Sequence, residues 1–323
     1  MSSGINRRDF GLQSSAVMGG LLSGRLLADD KGMPASTGDS QPRLVLLGLN
    51  ALARAHDFNY FADGHRGAAL VAAHLLCQEE SLDEQGRKRI AELFDLNWAP
   101  TPLCQPFPEE DPDPEGVEKI GRALMGGGET LRQVGHNAIF AMLAIKGFRL
   151  LPSAATPQRV DGVCKLIEAM TPWRDEAPDR DVEPPPFTDS QAASRYVLRE
   201  ASDAVDRWVG YGQGFSGHML TFGQSLIELA AMGDVDWADS CRTAFCKYVT
   251  VTRRGPADDD KRYTDHAPSK LRPNQTGYWR QRGNKSLGIG HVFKYPYSYY
   301  SLLERAEDDA LANEWDAKAY HVF

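Results

Sequence analysis

Four Gly-His pairs constrain this chain more than any other feature: Gly64-His65, Gly135-His136, Gly217-His218 and Gly290-His291. They take up half of the eight histidines, whereas random placement of the 30 glycines would give roughly 0.7 such pairs. From 65 to 136, 136 to 218 and 218 to 291 the intervals are 71, 82 and 73 residues, one histidine per structural unit. Each pair opens a stretch whose apolar residues recur at helical spacing. The face shared with His65 carries Ala68, Ala69, Ala72 and Leu76; that of His136 carries Ile139, Phe140 and Leu143; that of His218 carries Thr221, Phe222, Ser225 and Leu229. Each imidazole is therefore expected to point into the core at the start of its helix, with the glycine allowing a sharp turn and close approach. Asp63 and Ser216 are expected as helix caps or as acceptors for the imidazole N–H.

From Arg43 onward nearly every long segment keeps helical spacing, and no series of alternating β-branched runs occurs, so the fold is expected to be all-α. Helical patterns come in pairs: 65–79 with 82–96, 136–150 with 157–170, 218–232 with 236–252, and the last Gly-His segment with 304–319. Further helical patterns precede three of them, at 44–56, 116–132 and 190–209. A recurring unit of roughly 70 to 80 residues predicts helical-hairpin repeats forming an irregular bundle or an α/α-toroid-like domain over 43–323. Proline-rich 99–115 and 172–189 read as loops. The polar segment 253–289, with Tyr263, His266, Tyr278 and Trp279, reads as a long loop serving as a lid, a binding loop or a disordered stretch.

Residues 6–10, Asn-Arg-Arg-Asp-Phe, resemble the twin-arginine export motif and precede a mildly apolar stretch from Ala16 to Leu27. A signal over 1–28 and a linker over 29–42 are expected, with export of an already folded protein to the periplasm. No later segment reaches the roughly 20 apolar residues that span a bilayer; Ala138 to Leu151 is interrupted by Lys146 and Arg149. A net charge of −8 argues against a broad grip on nucleic acid or anionic lipid, leaving a small molecule as the expected partner and the oligomeric state open. Five cysteines without close spacing argue against a disulfide scaffold, although one bridge in an oxidising compartment is compatible with them.

A single core histidine is usually satisfied by backbone. Four at equivalent positions would each incur polar desolvation unless they shared a partner, and imidazole is the commonest transition-metal ligand. His65, His136, His218 and His291 are therefore expected to converge on one buried metal ion. Lys294 follows His291 by three residues; beside imidazoles and a metal it would be pushed toward its neutral amine, which can react with carbon dioxide to give an anionic carbamate. Because the residue before a proline avoids the helical region, Pro296 suggests a helix starting there, with His291 and Lys294 on the loop or first turn before it. Of the other histidines, His74 is expected to face away from His65, His56 lies at a helix end, and His321 is near the C-terminus. His266 is the first substitute ligand, with His56 a second.

Four dispersed histidines with His291-Val292-Phe293-Lys294 near the end of a helical chain make the sequence similar to the questin-oxidase-like non-haem iron proteins. That resemblance implies one iron held by His65, His136, His218 and His291, with carboxylated Lys294 as a further ligand and catalytic group. The function expected is that of a non-haem metal oxygenase or oxidase with Fe(2+), acting on a small organic substrate, aromatic ones included. Zn(2+) or Mn(2+) in a hydrolase or lyase, and a non-catalytic helical saccharide-binding protein, are the alternatives. Tyr295, Tyr297, Tyr299 and Tyr300 could line the pocket or belong to the core. No P-loop, GxGxxG, GxSxG or HExxH motif is present.

Overall fold

The computed structural model describes residues 40–79, 82–212, 214–264, 270–284 and 287–323. The expected signal, most of the expected linker and His266 lie outside the described residues. Among the described residues there is no strand, only an isolated antiparallel bridge between Arg132 and Pro172, and the fold is an irregular all-α bundle. In chain order the helices are α1 (Ser40–Arg54), α2 (Tyr60–Glu79), α3 (Glu84–Asn97), α4 (Gly116–Met125), α5 (His136–Leu150), α6 (Pro157–Glu168) and α7 (Ser190–Trp208). They continue with α8 (Gly214–Ala231), α9 (Val235–Ser240), α10 (Arg242–Arg254), α11 (Thr276–Gln281), α12 (His291–Ala306) and α13 (Asp309–Lys318). One connected set of buried apolar side chains runs from Leu44 to Val322. All five cysteines are free.

Local chemistry explains several helix starts. Asp83, Asp189 and Asp308 each accept a hydrogen bond from a backbone N–H three residues on, and Pro157 occupies the first position of α6, where its missing N–H costs nothing.

Elsewhere the structure departs from the sequence expectation. Helix α1 begins at Ser40, inside the expected linker, and α4 stops at Met125 before Gly126-Gly127-Gly128 rather than running to 132. The segment expected at 236–252 is broken at Cys241 into α9 and α10. The 253–289 segment contains α11, whose Trp279 is fully buried and stacked on Phe293 with ring centroids 5.0 Å apart, so part of that segment belongs to the core. Helix α12 starts at His291, not Pro296: the amides of Phe293 and Lys294 already bond to the Gly290 carbonyl, and Pro296 is carried inside the helix. The single ladder bond that Pro296 removes, to Val292, is outweighed by burial of the residues around it.

Helices α2, α5, α8 and α12 form the centre, packing in a closed cycle of α2 on α5, α5 on α8, α8 on α12 and α12 on α2. Helices α2, α5 and α8 bury residues around nearly their whole circumference, as expected for helices apolar on every side. Helix α1 packs against α2, α4 against α5 and α7 against α8, as outer partners.

Two polar clusters fix the direction of the four inner helices. One is the histidine cluster. The other joins residues 10 or 14 positions further along each helix: Glu79 of α2, Lys146 of α5, Glu228 of α8 and Arg305 of α12. Lys146 Nζ lies 2.9 Å from Glu79, 2.8 Å from Glu228 and 3.0 Å from the Tyr297 hydroxyl, while Arg305 pairs with the other oxygen of Glu228. At 1.5 Å per residue the clusters are roughly 15 to 21 Å apart, and all four helices run the same way from one to the other. Burial works against the Lys146 charge, but Tyr297, Glu228 and Glu79 around it raise its pKa above that of an ordinary lysine.

Replacing Lys146 by Met removes one of the two cations paired with buried Glu228, leaving Arg305 on its other oxygen, and takes from Glu79 its ion pair with Lys146. A loss of about 3 kcal/mol in unfolding free energy is expected, read from urea denaturation; an unchanged urea midpoint would contradict this role for the network.

Candidate metal centre

Each inner helix delivers one histidine. Ring centroids are 4.3 Å apart for His65 and His136, 4.6 Å for His136 and His218, 5.1 Å for His218 and His291, and 4.8 Å for His291 and His65. The order around this square follows the cycle of helices. His65 and His136 have 0 % exposure, His218 has 6 %, and His291 is half-buried.

The four glycines act in two ways. Gly135 and Gly290 sit at φ 91° and 84°, left-handed N-caps that turn the chain into α5 and α12, so His136 and His291 are the first helical residues, as the Gly-His pattern suggested for His136 and against the start expected at Pro296 for α12. His65 and His218 instead lie more than a turn inside α2 and α8. There glycine serves close approach: a Cβ at Gly64 would fall 2.6 Å from the Phe140 ring, and one at Gly217 would collide with the Tyr295 ring. Gln133 and Val134, at φ 41° and 57°, extend the left-handed turn before Gly135, a costly backbone for a β-branched residue.

That turn aims the Gln133 carbonyl at Nδ1 of His136, and the Gly214 carbonyl likewise meets Nδ1 of His218. A carbonyl only accepts, so both rings carry their proton on Nδ1 and present bare Nε2 atoms. Those Nε2 atoms face each other at 3.0 Å. Two lone pairs at that distance repel unless a cation lies between them. An imidazolium is disfavoured there, because burial, followed by the neighbouring charges, holds His136 well below the usual histidine range and burial drives His218 down to about 3.

The other two rings are not held by a carbonyl at Nδ1. Nδ1 of His65 contacts Lys294 Nζ, and the buried Nε2 atoms of His65 and His291 have no hydrogen-bond partner among the described residues. One ring nitrogen each from His65, His218 and His291 lie within 4.8 Å of one another, with His136 joined through its contact to His218. Ligands at about 2.1 Å from one ion stand about 3.0 Å apart when adjacent and about 4.2 Å apart when opposite, so the observed spacings need only small adjustment to share an ion. The donor set fits a first-row transition metal.

Lys294 is 2 % exposed, donates to the carbonyls of His65 at 3.2 Å and Ile289 at 3.4 Å, and is held well below the usual lysine range by burial. The acceptors expected at Asp63 do not serve the imidazoles: its carboxylate takes the Asn59 amide and pairs with Arg66 at 2.6 Å. Of the four tyrosines, only Tyr295 reaches the cluster, stacking on His291 at 4.5 Å with its hydroxyl 3.2 Å from His218 Nδ1. Tyr297 belongs to the Lys146 network, and Tyr299 and Tyr300 pack around Trp315 and Phe323. His56 contacts the Ala53 carbonyl and Asp57, His74 is buried elsewhere along α2, and His321 lies against Tyr320; none joins the cluster.

Phe61 and Phe140, which the sequence reading did not single out for the site, set their edges against His65 and His136 at 4.7 to 5.5 Å. Phe140, four residues after His136 on the same face, carried a usable signal. Phe61 stands four residues before His65 and carried the same one. Comparison of the chain with protein-family models, with curated proteins and with solved structures gave no match.

Gly217→Ala is expected to cost about 1 to 3 kcal/mol of stability by overpacking against Tyr295; a urea midpoint equal to that of the parent would overturn the close-approach reading.

A pH dependence follows from the neutral rings. The unfolded chain protonates its histidines near pH 6.5 while the fold keeps His65, His136, His218 and His291 neutral, so below that pH the unfolded state binds more protons. The share of the stability of chelator-treated protein that these rings carry should therefore be complete above pH 6.5 and fall on acidification toward about pH 3, where His218 protonates in the fold, in addition to a loss from Lys294 that begins below the ordinary lysine pKa because the fold keeps that amine neutral. The slope should approach about 5 kcal/mol per pH unit from the four rings, with about 1 more from Lys294, and denaturation titrations at pH 7, 6 and 5 measure it.

Proposed function

We propose that the chain is a metalloprotein that binds one transition-metal ion through His65, His136, His218 and His291, with Lys294 as a further ligand in its carbamate form. The observation that carries this reading is the pair of bare Nε2 atoms facing each other at 3.0 Å, beside two further buried Nε2 atoms without partners. Buried polar groups are rarely left unsatisfied, and one cation would satisfy all four rings.

The carbamate step uses carbon dioxide as co-reactant. The neutral Lys294 amine forms the new N–C bond, one amine proton leaves to solvent, and the product carries one negative charge. Burial favours the neutral amine that this step requires. Four neutral imidazoles and one anionic oxygen leave room in an octahedral shell for one further ligand.

Iron is the metal the proposal favours, in an oxygenase or oxidase acting on a small organic substrate. Bound iron would supply one-electron chemistry with dioxygen. The chain's own residues fix the rings through the Gln133 and Gly214 carbonyls, hold water away with Phe61 and Phe140, and place the Tyr295 phenol against two of the imidazoles. Export through the twin-arginine motif belongs to the same proposal, because a folded passenger would carry its ion along. No helix among the described residues is long and apolar enough to cross a membrane.

Elemental analysis of protein purified without added metal is expected to give one iron per chain, falling by at least about tenfold in His136→Ala and His218→Ala. Unchanged metal in both variants would overturn the shared centre. One zinc per chain in colourless protein would overturn the oxidase reading while leaving the centre intact, and native mass spectrometry with and without bicarbonate, on the parent and on Lys294→Met, tests the carbamate.

A further inference from the structure

Between the C-terminal end of α4, the glycine run 126–128, the first turn of α5 and the last turn of α6 lies a cavity of about 190 Å³. None of the four imidazoles lines it. Two of its wall residues have unmet hydrogen-bonding capacity. The Asn137 amide, 2 % exposed, has no hydrogen-bond partner among the described residues. The Arg132 guanidinium uses Nη1 to cap α6, at 2.9 Å from the Met170 carbonyl and 3.3 Å from that of Glu168, while its buried Nε has no partner.

Gly127 makes room for this arrangement, since a Cβ there would lie 2.6 Å from Arg132 Nε. Arg122 stands at the wall with 59 % of its side chain exposed and only a distant carboxylate, Glu115, at 3.7 Å. The rest of the lining is Ala123, Leu124, Gly126, Ile167 and Glu168, the last an exposed carboxylate at the rim. Two guanidinium groups against the one carboxylate of Glu168 leave the recess with a net positive charge, and with the Asn137 amide they give it a directional donor side opposite Leu124 and Ile167. Guanidinium and amide donors match the coplanar oxygens of a carboxylate, and apolar walls suit a short hydrocarbon body. Leaving the buried Arg132 Nε without a partner is costly.

We propose that this cavity binds a small organic carboxylate, held by Arg132 and Asn137 with Arg122 at the mouth, as a site separate from the imidazole cluster. It does not depend on any metal being bound. The test is titration of the full chain with propionate and, separately, with inorganic phosphate, followed by calorimetry and by amide chemical shifts.

Propionate is expected to saturate one site, to shift the Gly126, Gly127 and Asn137 amides most, and to bind at least about tenfold more weakly to Asn137→Leu and Gly127→Ala. Shifts centred on His218 or Lys294, binding that survives in both variants, phosphate bound as tightly as propionate, or no saturable binding of propionate would each overturn the proposal. Far-ultraviolet circular dichroism of the two variants verifies that the helices are intact, so that weakened binding reads on the cavity and not on folding.

Discussion

Everything in this fold answers to the cost of taking four imidazoles and an amine out of water. A neutral imidazole buried without partners for both nitrogens is destabilising, and here the backbone provides for one nitrogen of two of the rings while the other nitrogen is turned inward. The left-handed turn at 133–135 exists to bring a carbonyl to His136, and the start of α8 does the same for His218. Glycine at 64 and 217 lets aromatic rings close over the cluster. Backbone strain, helix starts and aromatic packing are thus consequences of one electrostatic demand.

A second demand comes from the inner helices themselves. Helices apolar on all sides have little to stop them rotating or sliding against their neighbours, since one apolar contact replaces another at small cost. Polar clusters at both ends remove that freedom. The Lys146 network and the histidine square each take one contribution from every inner helix, so a slip of any helix would break both at once. Buried charge is a poor source of net stability and a good source of register, which is the role these groups have here. Parallel alignment also places the carbonyl ends of the four helices near Lys146 and Arg305, where cations are favoured.

Much of this was legible in the chain. Helical spacing identified the all-α class, and the Gly-His repeat identified four histidines that do come together, with Lys294 beside them. What spacing could not convey was how the glycines act, because a positive φ and a close approach leave the same letter in the sequence. Pro296 misled for a related reason: the local preference of Tyr295 for extended backbone was weaker than the burial that α12 achieves by starting at His291. The break at Cys241 and the burial of Trp279 depend on contacts distant in sequence, which no local pattern encodes. The Lys146 network did leave a trace, at 10 and 14 residues beyond the histidines, about 80° and 40° short of whole helical turns, but charged residues at such spacing are common on solvated faces too.

The complete enclosure of His65 and His136 bears on time as well as affinity. Neither ring has solvent-exposed surface in the closed fold, so anything held between those two would be exchanged during a partial opening of the helix ends that carry Gly135 and Gly290. Loading and loss would then be paced by that opening rather than by diffusion or binding strength. A chain built this way would keep whatever it closed around during folding, long after the surrounding concentration had changed.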